Sequence, residues 1–206
     1  MEPSEYYQIC LQLLNPAAVT AWPAIKKAYE GRAYHNLNHL QEMIGHFPKN
    51  APFRLPENRQ AAIFGIALIY HDIIYQAGRK DNEKRSADRA EAALLLAGAS
   101  TAETDYCRSL IMATKTHQPD GPEANDQCLL IDLDLAVLAR TPEGYDTYAR
   151  AVRQEFSWFP DFLYRPGRKK ALQHFLEQDF IYYTPMFREG YEDRARANLK
   201  REMTLL

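Results

Sequence analysis

Ala61-Ala-Ile-Phe-Gly-Ile-Ala-Leu-Ile-Tyr-His-Asp-Ile-Ile-Tyr75 decides how this chain is read. From Ala61 to Tyr70 there is no charge, and His71 and Asp72 then stand side by side. A helix that is apolar all round is a buried helix, not a surface one. This one is too short to span a bilayer, which takes about 20 apolar residues. The expectation is a central core helix that delivers an imidazole and a carboxylate into the interior. A buried carboxylate is costly unless a cation, a metal or several donors face it. On this dipeptide alone, an Asp capping a turn beside a hydrogen-bonded core His is the preferred reading, because short motifs are weak evidence.

Working outward, 206 residues suffice for one sizeable core, and one domain over 1–206 is the expectation. The formal net charge of −2 comes with no basic or acidic tail, which gives no reason to expect a nucleic-acid polymer or a membrane surface as partner. Cys10, Cys107 and Cys128 are odd in number and widely spaced, so neither a disulfide framework nor a thiolate zinc site is indicated. The acidic start (Glu2, Glu5) does not resemble a signal peptide, and a cytoplasmic protein is expected.

The helical punctuation is regular. Ser4 is expected to cap a first helix through Leu14, and Pro16 to open a second that stops at Gly31. A Pro-rich loop (Pro48, Pro52, Pro56) precedes the central helix. A further helix runs from Asp81 or Asn82 to Ala97 and is closed by Gly98. Ser100 and Glu103 have capping-box spacing, for a helix ending near Lys115 to His117. Pro119 to Asn125 reads as a turn, and Gln127 to Ala139 as an apolar helix interrupted by Asp132 and Asp134. Thr141-Pro142 opens another, to about Trp158. Pro160 and Pro166-Gly167 bracket an expected basic loop before a helix resumes over Arg168 to Gln178, and Thr184-Pro185 opens the last. No segment alternates with period two for long. The expected fold is all-α, a bundle of eight to ten helices.

Imidazoles and carboxylates recur in three separate segments. His35 and His39 are four residues apart and share a face if one helix includes both. His71 and Asp72 end the central helix. Asp132 and Asp134 sit in Leu129-Leu-Ile-Asp-Leu-Asp-Leu135, roughly 200° apart at 3.6 residues per turn. One of that pair can face a site fed by His39 and His71, and the other needs a different partner. Two His and two Asp suit a divalent ion such as Mn, Fe, Ni, Zn or Mg, with room for water.

The order His … His-Asp … Asp on an all-α chain resembles the HD superfamily of metal-dependent phosphohydrolases. Tyr34-His35-Asn36-x-x-His39 resembles the first metal motif of the cyclic-nucleotide phosphodiesterases. A bacterial family of predicted HD phosphohydrolases is closer. The matches to it are Tyr34-His-Asn-Leu-x-His-Leu40, His71-Asp-Ile-Ile-Tyr75, Asp81-Asn-Glu-x-x-Ser-Ala87, Ala113-Thr-Lys-Thr-His117, Asp132-Leu-Asp-Leu-Ala-Val-Leu138, Arg153-Gln-Glu-Phe156 and Gly167-Arg168. The resemblance implies an HD-domain-like bundle in which His39, His71, Asp72 and Asp134 are metal ligands and Asp132 is supporting. His35 matches the histidine that donates a proton to the leaving oxygen. Ile73-Ile74-Tyr75 stands where the phosphodiesterases carry a further His, and their nucleotide-pocket motifs are missing. Cyclic nucleotides are therefore not implied.

The resemblance implies a phosphomonoesterase or phosphodiesterase, and metal chemistry supplies an activated water for it. Its substrate would be a small phosphorylated molecule, with nucleotides among the options. Asp72 could bridge a second ion, with His117 as an extra ligand. Glu83 either orients the attacking water or is a first-turn Glu favoured by the helix dipole. Lys115, Arg165, Arg168 and Lys169 are candidate phosphate clamps, Arg168 first among them. A non-catalytic HD domain binding a nucleotide or partner is the main alternative. A di-iron oxygenase is another, although only His117 stands out as an additional ligand. His46 and His174 match nothing.

Overall fold

The computed structural model describes residues 1–49, 51, 53–121 and 124–206. Among them are ten α-helices, one short 3-10 helix and no strand, so the chain is all-α. Among the described residues, no helix is long and apolar enough to cross a membrane. Pro52, Pro122 and Glu123, which belong to the expected loops, lie outside the described residues.

The chain forms two compact units, Met1–Leu133 and Asp134–Leu206. The first contains α1 (Pro3–Leu14), α2 (Trp22–Tyr29), α3 (Leu37–Gly45), α4 (Arg59–Tyr70), α5 (Asn82–Leu96), α6 (Thr101–Ala113) and most of α7 (Ala124–Leu135). The division falls inside α7, so no linker marks it in the sequence. The second contains the 3-10 helix (Ala136–Ala139), α8 (Pro142–Glu155), α9 (Asp161–Leu176) and α10 (Pro185–Leu205).

α4 is the expected core helix. Asn58 caps it by accepting from Ala61 N, and every residue from Ala61 to Tyr70 is buried. It packs against α1, α5 and α6. Burying a large apolar side chain is worth roughly 1.5–3 kcal/mol, so Ile63, Phe64, Ile66, Leu68 and Ile69 make this helix the anchor of the unit. Gly65 lets α1 approach. A Cβ there would come within 2.3 Å of Cys10 Sγ and 2.9 Å of Tyr6 Cε1. Tyr6 and Tyr29 reach across to donate to the carbonyls of Phe53 and Ile69.

The expected caps of α5 and α6 are present. Gly98, at φ +78°, ends α5 while Ala99 N donates to Leu94 O and Gly98 N to Leu95 O, the Schellman pattern. The Ser100 hydroxyl accepts from Glu103 N, and Glu103 accepts from Ser100 N.

Other boundaries differ from expectation or are newly defined. Glu2, not Ser4, is the N-cap residue of α1. Pro16 opens no helix: Asn15 Oδ1 accepts from Ala17 N, the Asx turn that such a side chain favours. α2 starts instead at Trp22, with Pro23 in its first turn. α3 starts after His35, because Asn36 is its N-cap and accepts from Asn38 N. The apolar stretch to Ala139 tightens into a 3-10 turn after Leu135. Finally, α9 runs straight through Pro166-Gly167 where a loop was expected. Proline removes one helical N–H, but Phe162, Pro166 and Gly167 are exposed, so water can serve the carbonyl left over.

In the second unit, α10 packs on the 3-10 helix and on α9. Asn198 donates to the carbonyls of Leu138 and Arg140, and Tyr182 to that of Leu135. These bonds fix the segment that follows α7.

Candidate metal centre

His39 sits in the first turn of α3 and is 3% exposed; His71 is the C-cap of α4 and is 1% exposed. Asp134 is half-buried and is carried by α7 one residue past Leu133. One potential ligand atom from each of these three residues lies within 4.8 Å of the other two. Such a group can hold a metal ion.

Their local chemistry suits that role. His71 Nδ1 lies 2.8 Å from the Leu68 carbonyl oxygen. A carbonyl only accepts, so Nδ1 carries the hydrogen, and the neutral ring presents an electron pair at Nε2. That Nε2 lies 3.1 Å from Asp72 Oδ2. Two electron pairs this close repel each other unless a proton or a cation lies between them. His39 Nδ1 lies 3.1 Å from the Tyr34 hydroxyl. A second partner on the far nitrogen of a ligating imidazole orients the ring and raises its basicity. The donor set therefore fits a metal ion held by nitrogen and carboxylate oxygen.

His35 precedes α3 and is half-buried. Its ring stacks on Tyr75 with centroids 3.8 Å apart and meets Tyr34 edge-on at 4.7 Å. His35 Nε2 is 3.9 Å from Asp72 Oδ2. Asp72 thus faces both His71 and His35.

Several supporting residues escaped the sequence reading. Asn82 bonds both backbone groups of Gln76, accepting from its N–H and donating to its carbonyl. Ser86 does the same for Ile74. These two positions, one helical turn apart on α5, hold the backbone just after Asp72. Asn36 donates to the carbonyls of Arg32 and Ala33 while it caps α3. Arg32 donates to the carbonyls of His35, Asp72 and Ile73. The motif asparagines and the serine were the visible signal, but their acceptors are backbone groups and leave no trace in sequence.

The remaining expected residues are placed as follows. Asp132 is fully buried in α7 and is not in the His39–His71–Asp134 group. Glu83 is half-buried in the first turn of α5. His117 follows α6 at φ 52°, a left-handed conformation uncommon outside glycine, and is not in that group either. Lys115 is exposed beyond the end of α6, and Lys169 is exposed on α9. Arg165 lies 3.6 Å from Asp161. Arg168 is paired with a carboxylate. Its Nε and Nη2 donate to the two carboxylate oxygens of Glu202 at 2.8 and 2.9 Å. His46 caps α3, and exposed His174 faces Gln178.

Comparison with family models, with curated proteins and with solved structures gives no match for this chain.

Proposed function

We propose that the protein is a metal-dependent phosphohydrolase whose divalent ion is held by His39, His71, Asp72 and Asp134. The observation that carries the reading is the convergence of His39, His71 and Asp134 within 4.8 Å, with the Asp72 carboxylate 3.1 Å from His71 Nε2. A divalent ion there supplies Lewis acidity, making hydroxide available near neutral pH and polarising a phosphoryl oxygen. The resemblance to the HD superfamily supplies the reaction class.

The chain's own residues have separable tasks. Leu68 and Tyr34 hold the two ring Nδ1 atoms, which leaves each Nε2 as the ligand nitrogen. Asp72 balances charge at the centre and lies across from His35 Nε2. His35 is the proton donor to the leaving oxygen. Imidazole is the side chain most often used for such a proton transfer. Tyr75 stacks on that ring and fixes its plane. Asp132 is a supporting residue on the same helix as Asp134.

The test is a screen of phosphate monoesters, phosphodiesters and nucleotides against metal-free protein supplemented with Mn, Mg, Ni, Zn or Fe. Hydrolysis of at least one ester that appears with metal and disappears with chelator is the expected result. Tight metal binding with no turnover on any ester would favour the non-catalytic alternative. Oxygen consumption by the iron form would favour the oxygenase.

A further inference from the structure

We infer, on the basis of the proposed metal centre, that Arg32 is a positioning residue that sets the spacing between its two histidine-bearing segments. No part of Arg32 belongs to the donor set. Its guanidinium instead spans the backbone on both sides: Nη1 donates to the carbonyls of Asp72 at 2.5 Å and His35 at 3.3 Å, and Nη2 to that of Ile73 at 2.8 Å. One planar group thereby ties the loop that enters α3 to the turn that leaves α4.

The ring system around it reinforces the tie. The guanidinium carbon lies 4.9 Å from the Tyr29 ring centroid and 5.9 Å from that of Tyr75. Tyr29 is itself fixed by donating to Ile69 O at 2.8 Å. Tyr75 in turn stacks on His35. Tyr29, Arg32, Tyr75 and His35 thus form a linked series that runs from the core to the site.

The choice of arginine follows from this geometry. A guanidinium offers five donors in a rigid fork, so a single group serves three carbonyls in nearly fixed directions. A lysine ammonium keeps the charge and most of the stem, but it is a flexible point donor and cannot hold both segments in one plane. A metal site needs its ligands held to within about 0.5 Å. Loosening the tie should therefore reach the metal before it reaches the fold.

The experiment compares wild type, Arg32→Lys and Arg32→Ala after chelator treatment, by calorimetric titration with Co2+, by the visible spectrum of the Co2+ form, and by thermal melting without metal. Arg32→Lys is expected to melt close to wild type without metal, to bind Co2+ about 10–100-fold more weakly, as supporting residues of metal sites do, and to show an altered Co2+ spectrum. Arg32→Ala should lose at least as much affinity. If Arg32→Ala does not fold, Arg32→Lys alone decides. Wild-type affinity with an unchanged spectrum in Arg32→Lys overturns the inference, and so does an affinity loss matched by an equal loss of metal-free stability. Wild-type protein that takes up no Co2+ fails at an earlier point, since it overturns the metal-centre reading on which this inference rests.

Discussion

His35→Ala protein is expected to keep its metal and its melting temperature while losing about a hundredfold to ten-thousandfold of its turnover on an ester with a poor leaving group. His35 lies outside α3, and its Nε2 faces Asp72 Oδ2 at 3.9 Å. The atoms that gather around one point come instead from His39, His71 and Asp134. The role assigned to His35 is protonation of the leaving oxygen, and a nitrophenyl phosphate needs little of that. Its hydrolysis should fall far less than that of an alkyl phosphate. The ratio of the two losses is the informative quantity, because general damage to the site would depress both rates alike. An unchanged rate on the alkyl ester would remove His35 from the mechanism. Loss of the metal would make it a ligand.

Arg168→Ala should cost about 3–5 kcal/mol of stability, the usual penalty for removing one member of a buried ion pair. Arg168 and Glu202 side chains are each 10% exposed and meet through two parallel bonds. Tyr145 OH donates to the same carboxylate. Removal of the guanidinium leaves that carboxylate buried with one donor in place of three. Replacing both partners with apolar residues of similar volume (Arg168→Met with Glu202→Leu) should cost much less, because no charge is then stranded. Urea unfolding followed by circular dichroism measures both variants. An Arg168→Ala protein within about 1 kcal/mol of wild type, the range of an exposed pair, would show that the pair contributes little, and would return Arg168 to consideration as an anion ligand.

What the sequence disclosed followed how local each signal was. α4 was legible because ten consecutive residues without charge have one stable location, the core. The ends of α5 and α6 were legible because Gly98, Ser100 and Glu103 act within a few residues of themselves. The helix from Thr141-Pro142 was legible for the same reason, as Thr141 accepts from Gly144 N.

Errors arose where a residue had two conformational uses. Whether one helix holds both His35 and His39 is left open by their spacing, and Asn36, a preferred N-cap residue type, starts α3 after His35. Pro166 was read as a break, although one missing N–H on an exposed stretch is tolerated. The Arg168–Glu202 pair went unseen because the partners lie 34 residues apart and nothing near Arg168 in sequence announces Glu202. Arg32 was passed over entirely, since its acceptors are main-chain carbonyls that every residue possesses.

The candidate site was legible in part. Residue types and spacing brought out His39, His71 and the aspartate pair, and the HD resemblance favoured Asp134 within that pair. The carboxylate that the structure groups with the two imidazoles is that of Asp134. The tautomer of His71, fixed by the Leu68 carbonyl, and the backbone clamps from Asn82 and Ser86 required coordinates.

The central claim is that one divalent ion is held by His39, His71, Asp72 and Asp134, and metal stoichiometry tests it most directly. Wild type, His71→Ala, Asp72→Asn and Asp134→Asn would each be stripped with chelator, loaded with Mn2+ or Zn2+, dialysed and analysed for metal, with circular dichroism confirming the helical fold. The asparagine variants keep side-chain volume and remove only the charge and one ligand oxygen. The account predicts close to one equivalent in wild type and a small fraction of that in every folded variant. Wild type that retains no metal, or a His71→Ala protein that retains one equivalent at wild-type affinity, would contradict it.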